Sequence, residues 1–71
     1  MKEFKQYRRK EFTELRPYVL GELLPGVSIS DHDRDYKGSP KLGDMIARNP
    51  KHHTDQWLVE HDYFLANFEE M

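Results

Sequence analysis

Apolar and polar positions form the clearest pattern in the last thirty residues. Residues 45–48 are mostly apolar and end at Asn49 and Pro50, and residues 56–59 form a second run around the only Trp, Trp57. The five residues 51–55 between them are polar, and five residues are a common length for a hairpin loop. The pattern predicts two neighbouring strands joined by that loop.

The C-terminal segment has helical spacing. Phe64 and Phe68 stand at i and i+4, Leu65 lies on the adjoining face, and Asp62 is a suitable N-cap. We therefore predict a short helix that ends near Phe68. The same residues also permit one long helix over residues 54–69, and periodicity does not decide between the two.

The N-terminal third supports two interpretations. Residues 2–15 are rich in helix formers, with an interrupted apolar stripe, whereas residues 12–19 alternate as a strand does. Pro17 would confine such a strand to a sheet edge. Pro25 and Gly26 then mark a turn, and residues 27–30 alternate as a short strand.

These elements predict one α+β domain over residues 1–71: a small antiparallel sheet of three or four strands with one C-terminal helix. Polar residues 31–40 are predicted to be a mobile loop, in which Ser30 or Asp31 can cap a single helical turn. The predicted core consists of the apolar residues of these elements: Leu15, Val27, Ile29, Met45, Ile46, Trp57, Val59, Phe64, Leu65 and Phe68.

The chain's length limits how it can be stabilised. A domain of 71 residues buries only about 60% of its unfolded surface, and without Cys no disulfide can reinforce it. Stability must come from a compact core, a partner or self-association, so a homo-oligomer is one expectation. No apolar run reaches the roughly 20 residues of a membrane span, and no signal-peptide pattern is present. We expect a cytoplasmic protein without a membrane contact.

Charge is segregated although the net charge is only −2. Five of the eleven basic residues lie in the first ten positions, and residues 60–70 carry four acids. Basic and aromatic residues alternate at the N-terminus, where they could join phosphate contacts to base stacking. The candidate nucleic-acid contacts are Lys5, Tyr7, Arg8, Arg9 and Lys10. The competing interpretation packs Phe4, Tyr7 and Phe12 into the core.

The residues predict no catalytic chemistry. His52 and His53 are adjacent in sequence, and neither they nor His32 and His61 have the spacing of a zinc motif. There is no Cys nucleophile and no Gly-rich phosphate loop. We predict that the protein is not an enzyme and takes no metal and no cofactor.

One group of residues around the only Trp suits recognition of a protein. Trp and Arg are common among interface hot spots, and acids beside them would attract a basic partner. The candidate partner-binding residues are Arg48, Asn49, Trp57, Glu60 and Asp62. The competing interpretation makes Trp57 the centre of the core and pairs Arg48 with Asp44 across a strand.

Several motifs resemble those of phage proteins. Tyr-Arg-Arg-Lys at residues 7–10, followed by Glu-Leu-Arg-Pro-Tyr at 14–18, resembles the opening of short phage and prophage proteins with a Tyr-Arg-Lys-Lys motif and a first β-strand. Gly-Asp-Met-Ile-Ala-Arg-Asn-Pro at residues 43–50, Trp-Leu-Val at 57–59 and the Phe-containing end are similar to small uncharacterised proteins of tailed phages. The resemblance implies a phage accessory protein in the host cytoplasm and no particular reaction.

These observations predict an accessory protein that binds another protein, with a host defence or regulatory factor as the expected class of target. Nucleic-acid binding through the N-terminus is the alternative. The charge balance argues against it, because dedicated nucleic-acid binders are usually basic overall.

Overall fold

Four strands and two helices follow one another in this computed structural model, which describes residues 3–7 and 12–70. In chain order they are β1 (Glu14–Pro17), β2 (Val27–Ser28), α1 (Asp31–Tyr36), β3 (Met45–Asn49), β4 (His52–Val59) and α2 (His61–Asn67). The predicted α+β class and the C-terminal helix are confirmed.

The strands form one sheet in the order β1-β3-β4-β2. β3 pairs antiparallel with both β1 and β4, whereas β2 pairs parallel with β4. The sheet is therefore mixed, whereas the sequence predicted a wholly antiparallel sheet. The two edge strands consequently run in the same direction. Residues 18–26 must therefore cross one face of the sheet to connect them.

Glu22 fastens the start of this crossing segment. Its carboxylate accepts two hydrogen bonds from the guanidinium of Arg16, at 2.7 and 2.9 Å, and one from the backbone N–H of Val19 at 2.8 Å. Further along the segment, Leu24 packs on a cluster that includes Ile46 and Leu58. The sequence did not predict the parallel pairing of β2, because the pairing partner of a two-residue strand is set by long-range packing.

β3 and β4 form the predicted hairpin, but the polar residues 51–55 are not its loop. β4 begins at His52, and Asn49 pairs directly with His52 across a turn at residues 50 and 51. The Asn49 side chain accepts a hydrogen bond from the backbone N–H of Lys51 at 2.9 Å, as Asn often does at the start of a turn. The register shifts between Arg48 and Asn49, so residues 53–55 bulge out of the ladder. One long helix over residues 54–69 is excluded.

The buried core is small and lies at the centre of the sheet. Its apolar members are Tyr18, Ile46, Ala47, Leu58 and Val59. Ile46 and Val59 were predicted. Tyr18, Ala47 and Leu58 were not, because their burial depends on the packing of segments that are distant in sequence. Most of the other predicted core residues are half-buried, Trp57 included, and Leu65 is 64% exposed on α2.

The N-terminal region follows the strand interpretation only over residues 14–17. Residues 3–7 and 12–13 are in neither a helix nor a strand, so the helix suggested for residues 2–15 is not formed at these positions. Phe4, Tyr7 and Phe12 are exposed, which contradicts their packing into the core. Pro17 lies on edge strand β1, where the absence of an N–H is tolerated.

Both helices are short and capped. The hydroxyl of Ser30 accepts the N–H of Asp33 at 3.1 Å and starts α1, a six-residue helix within the segment predicted to be a mobile loop. α2 is capped by Glu60, whose side chain accepts the N–H of Asp62. The prediction of Asp62 as the cap is wrong by two positions. Asp62 lies instead in the first turn, where the helix dipole favours a negative charge.

Gly43 lies at the point where the loop before β3 touches α2. Its φ is +96°, and a Cβ there would lie 2.9 Å from Nδ1 of His61. The His61 ring also forms a 3.1 Å hydrogen bond to the carbonyl of Gly43. Residue 43 therefore needs both a left-handed backbone and the absence of a side chain.

Gly43→Ala should destabilise the protein more than Gly21→Ala. Both positions have positive φ, and a Cβ at Gly21 meets no atom within 4 Å. Each substitution should cost about 1–2 kcal/mol of backbone strain, and Gly43→Ala should add the displacement of His61. Urea denaturation measures both losses. Equal losses in the two variants would contradict the close packing of Gly43 on α2.

Candidate functional site

The carboxylate of Asp44 is fully buried just before β3. It accepts hydrogen bonds from the Ser39 hydroxyl at 2.7 Å, from the backbone N–H of Lys41 at 2.9 Å and from the Lys41 ammonium at 2.9 Å. The backbone N–H of His61, the first residue of α2, donates the fourth at 2.9 Å. The loop of residues 39–44 and the start of α2 are thereby joined through one side chain.

Glu60 adds a second buried carboxylate at the end of β4. The Lys41 ammonium lies 3.0 Å from its Oε2, and the same oxygen accepts the N–H of Asp62 at 3.0 Å. One ammonium group therefore bridges two buried carboxylates from distant parts of the chain. We call Ser39, Lys41, Asp44 and Glu60 the Asp44 cluster.

The hydrogen bonds of the Asp44 cluster stabilise its ionised form. Burial on its own would raise the pKa of Asp44, but donation from Lys41, Ser39 and two backbone amides outweighs it, and the pKa is held below its ordinary 3.8. The N–H of Asp62, and then Lys41, lower the pKa of Glu60. Burial opposes the charge of Lys41 as well, yet the two carboxylates raise its pKa above 10.5.

An open groove lies beside the Asp44 cluster, between β4 and α2. Its volume is about 370 Å³. Three aromatic side chains line it: Trp57, Tyr63 and Phe68. The remaining lining residues are Thr13, Asp33, Leu58, Val59 and Glu60. We call this site the aromatic groove.

Local structure explains where the aromatic side chains lie. Trp57 stands opposite Ala47 in the sheet, so the small Ala leaves room beside the indole ring. Phe68 follows α2 with an extended backbone, and its N–H donates to the carbonyl of Phe64 at 3.0 Å. The rings of Phe64 and Phe68 stack at 6.1 Å, while those of Tyr63 and Phe68 are tilted by 56° at 6.3 Å. Such arrangements are favourable for aromatic pairs and fix the wall formed by α2.

Two of the predicted partner-binding residues, Trp57 and Glu60, line the aromatic groove together. Glu60 is only 4% exposed and is held by Lys41, so it shapes the groove more than it presents a free charge. Asp62 lies next to Glu60 in the first turn of α2 and is exposed, with one oxygen 3.4 Å from the Lys37 ammonium.

Arg48 and Asn49, which were also predicted to bind a partner, do not line the aromatic groove. Arg48 pairs with Gln56, the neighbour of Trp57 in β4, and adjacent strand residues point to opposite faces. Nε of Arg48 lies 2.7 Å from a carboxylate oxygen of Glu14, so the predicted pairing of Arg48 with Asp44 is wrong. Asn49 uses its side chain within the hairpin turn.

The predicted nucleic-acid contacts are described only in part. Lys5 and Tyr7 are exposed, with 90% of Tyr7 accessible. Arg8, Arg9 and Lys10 lie outside the described residues. Over residues 3–7 and 12–70, no group of three His, Cys, Asp or Glu side chains converges as a metal site would require. None of the helices in that part of the chain is long and apolar enough to cross a membrane.

Sequence reasoning missed several residues of this site. The Lys41-to-Asp44 spacing of three residues is a local signal that could have indicated an ion pair. Glu60 lies 19 residues beyond Lys41, and no sequence pattern shows that it joins them. Asp33 and Tyr63 were also missed, because only the tertiary fold brings α1 to Trp57.

Stability should decline on both sides of neutral pH. Because the folded pKa values of Asp44 and Glu60 are lowered, their contribution is present above about pH 4.5 and is lost as the pH falls through the folded values. The pKa of Lys41 is raised, so its contribution is complete below pH 10.5 and is lost as the pH rises through the folded value. Urea denaturation between pH 2 and 11 measures this profile.

Salt provides the control for that measurement. The exposed Arg16–Glu22 pair, which also lowers the pKa of Glu22, should be screened at about 1 M salt, whereas the buried Asp44 cluster should be screened much less. Asp44→Asn should flatten the acid side of the profile. A profile that is flat in the wild-type protein at high salt would contradict a stabilising role for the cluster.

Comparison with known proteins finds no match, either among family models, among curated proteins or among solved structures. The resemblance to phage proteins therefore remains a prediction from the sequence.

Proposed function

We propose that this protein is a phage-encoded accessory protein that acts by binding another protein, a host defence or regulatory factor, through the aromatic groove. One observation carries the proposal: Trp57, Tyr63 and Phe68 line an open groove. Trp and Tyr are enriched among the residues that dominate binding energy, and concave aromatic surfaces receive the anchor side chains of partners.

The charged groups around the groove support binding more than catalysis. Glu60 is occupied by Lys41 and by the N–H of Asp62. A general acid and base would need two groups that can exchange protons with a substrate. Among the described residues, Asp33 is the only other carboxylate that lines the groove, and its side chain is partly exposed to solvent.

Exposed apolar side chains elsewhere also favour contact with protein. Val19, Leu20 and Leu23 on the crossing segment are each more than 60% exposed. Exposed apolar patches commonly mark interaction surfaces. Self-association through this segment is the alternative to a foreign partner, and light scattering over a concentration series distinguishes the two.

Affinity capture from host lysate, with Tyr63→Ala and Tyr36→Ala as matched variants, tests the proposal. Tyr63 lines the groove and is 59% exposed, whereas Tyr36 is 79% exposed on α1 and does not line it. Wild type and Tyr36→Ala should retain the same host protein. Tyr63→Ala should retain about tenfold less, because a hot-spot truncation costs more than 1 kcal/mol. Mass spectrometry with nuclease-treated lysate identifies the partner.

Two results would contradict the proposal. Recovery of nucleic acid alone, lost steeply with added salt, would favour the N-terminal alternative with Lys5 and Tyr7. Equal retention of one protein by Tyr63→Ala and Tyr36→Ala would place the binding surface outside the aromatic groove.

A further inference from the structure

We propose that the aromatic groove accepts a cationic side chain, the guanidinium of an Arg or the ammonium of a Lys on the partner protein. This inference rests on the proposed function, since it specifies the chemistry of the partner at the same site. It follows from the ring composition of the groove, its charge and its size.

The aromatic walls favour a cation. The face of an aromatic ring carries partial negative charge, and cations bind over Trp most strongly, then over Tyr and Phe. All three ring types line this groove, and Tyr63 and Phe68 are tilted relative to each other by 56°.

Asp33 adds a negative charge to the groove. It lines the groove from α1, and no side chain of residues 3–7 or 12–70 donates a hydrogen bond to its carboxylate or forms an ion pair with it. Arg34, the next residue, is turned to Asp31 and Asp35. The Asp33 carboxylate is therefore available to a cation that enters the groove.

The described residues around the groove also carry a negative net charge. The carboxylates close to it outnumber the ammonium groups that pair with them: Asp33, Asp44, Glu60 and Asp62 against Lys37 and Lys41. An approaching phosphate would be repelled. A nucleobase could stack on the same rings, but its backbone would bring that phosphate with it.

The groove's size suits a side chain. Its volume of about 370 Å³ is near the lower end of the 300–1,000 Å³ typical of small-molecule sites. A single long side chain can enter while its backbone stays outside. Arg is the better fit, since its planar guanidinium can stack on an indole and donate to a carboxylate at once.

Titration with capped amino acids tests the inference directly. The chain has one Trp, so its fluorescence reports on the groove alone. N-acetyl-arginine amide and N-acetyl-lysine amide should produce a saturable change at millimolar concentrations. N-acetyl-glutamine amide, which is polar but neutral, should produce none, and inorganic phosphate should not bind.

Asp33→Asn and Asp35→Asn provide a matched pair of variants. Both remove one negative charge from α1, but Asp35 is exposed beside Arg34 and does not line the groove. Asp33→Asn should weaken the arginine derivative about threefold to fivefold, the range of an exposed ion pair. Asp35→Asn should leave its affinity unchanged. The three hydrogen bonds of Asp33 use its backbone atoms, so circular dichroism should show both variants folded.

The outcomes separate this inference from the proposed function. Equal response to the arginine and glutamine derivatives, or equal effects of Asp33→Asn and Asp35→Asn, would overturn the cationic anchor. If Tyr63→Ala still reduces capture of a host protein about tenfold in that case, protein binding through the groove stands with a neutral anchor. A cation-selective response together with unchanged capture by Tyr63→Ala would instead contradict the proposed function alone.

Discussion

The ammonium group of Lys41, held between the buried carboxylates of Asp44 and Glu60, is the interaction on which the rest of the structure depends. Its two contacts measure 2.9 and 3.0 Å. Taking charges out of water is costly, and it is compensated only when each charge finds good partners. Here every buried side-chain polar atom of the described residues has a partner.

The Asp44 cluster is important because it lies where α2 joins the sheet. The apolar core is small, and α2 has no fully buried residue. A seven-residue helix is too short to be stable alone in water. The carboxylates of Asp44 and Glu60 accept the N–H groups of His61 and Asp62, the first two residues of α2, and so anchor the helix where apolar packing is weak. α2 in turn supplies one wall of the aromatic groove, so the cluster positions that wall, and Glu60 itself also lines the groove.

Local patterns predicted the local elements well. The hairpin, the C-terminal helix and the Ser30 cap follow from residues that are close in sequence. The parallel pairing of β2, the burial of Tyr18 and the joining of Lys41 to Glu60 depend on contacts between distant segments, which periodicity does not record. Trp57 illustrates the difference: its strand was predicted, but its half-exposed place beside Tyr63 and Phe68 required the helix to be docked.

Hydrogen exchange of the α2 amides in Asp44→Asn, with Asp35→Asn as the exposed control, tests this account most directly. The N–H of Phe64 donates to the Glu60 carbonyl at 2.8 Å and reports helix formation without touching Asp44 itself. Breaking a buried ion pair costs about 3 kcal/mol, so this amide should exchange about 100-fold faster in Asp44→Asn and at the wild-type rate in Asp35→Asn. Unchanged protection of Phe64 in Asp44→Asn would show that α2 and the aromatic groove are held by other contacts.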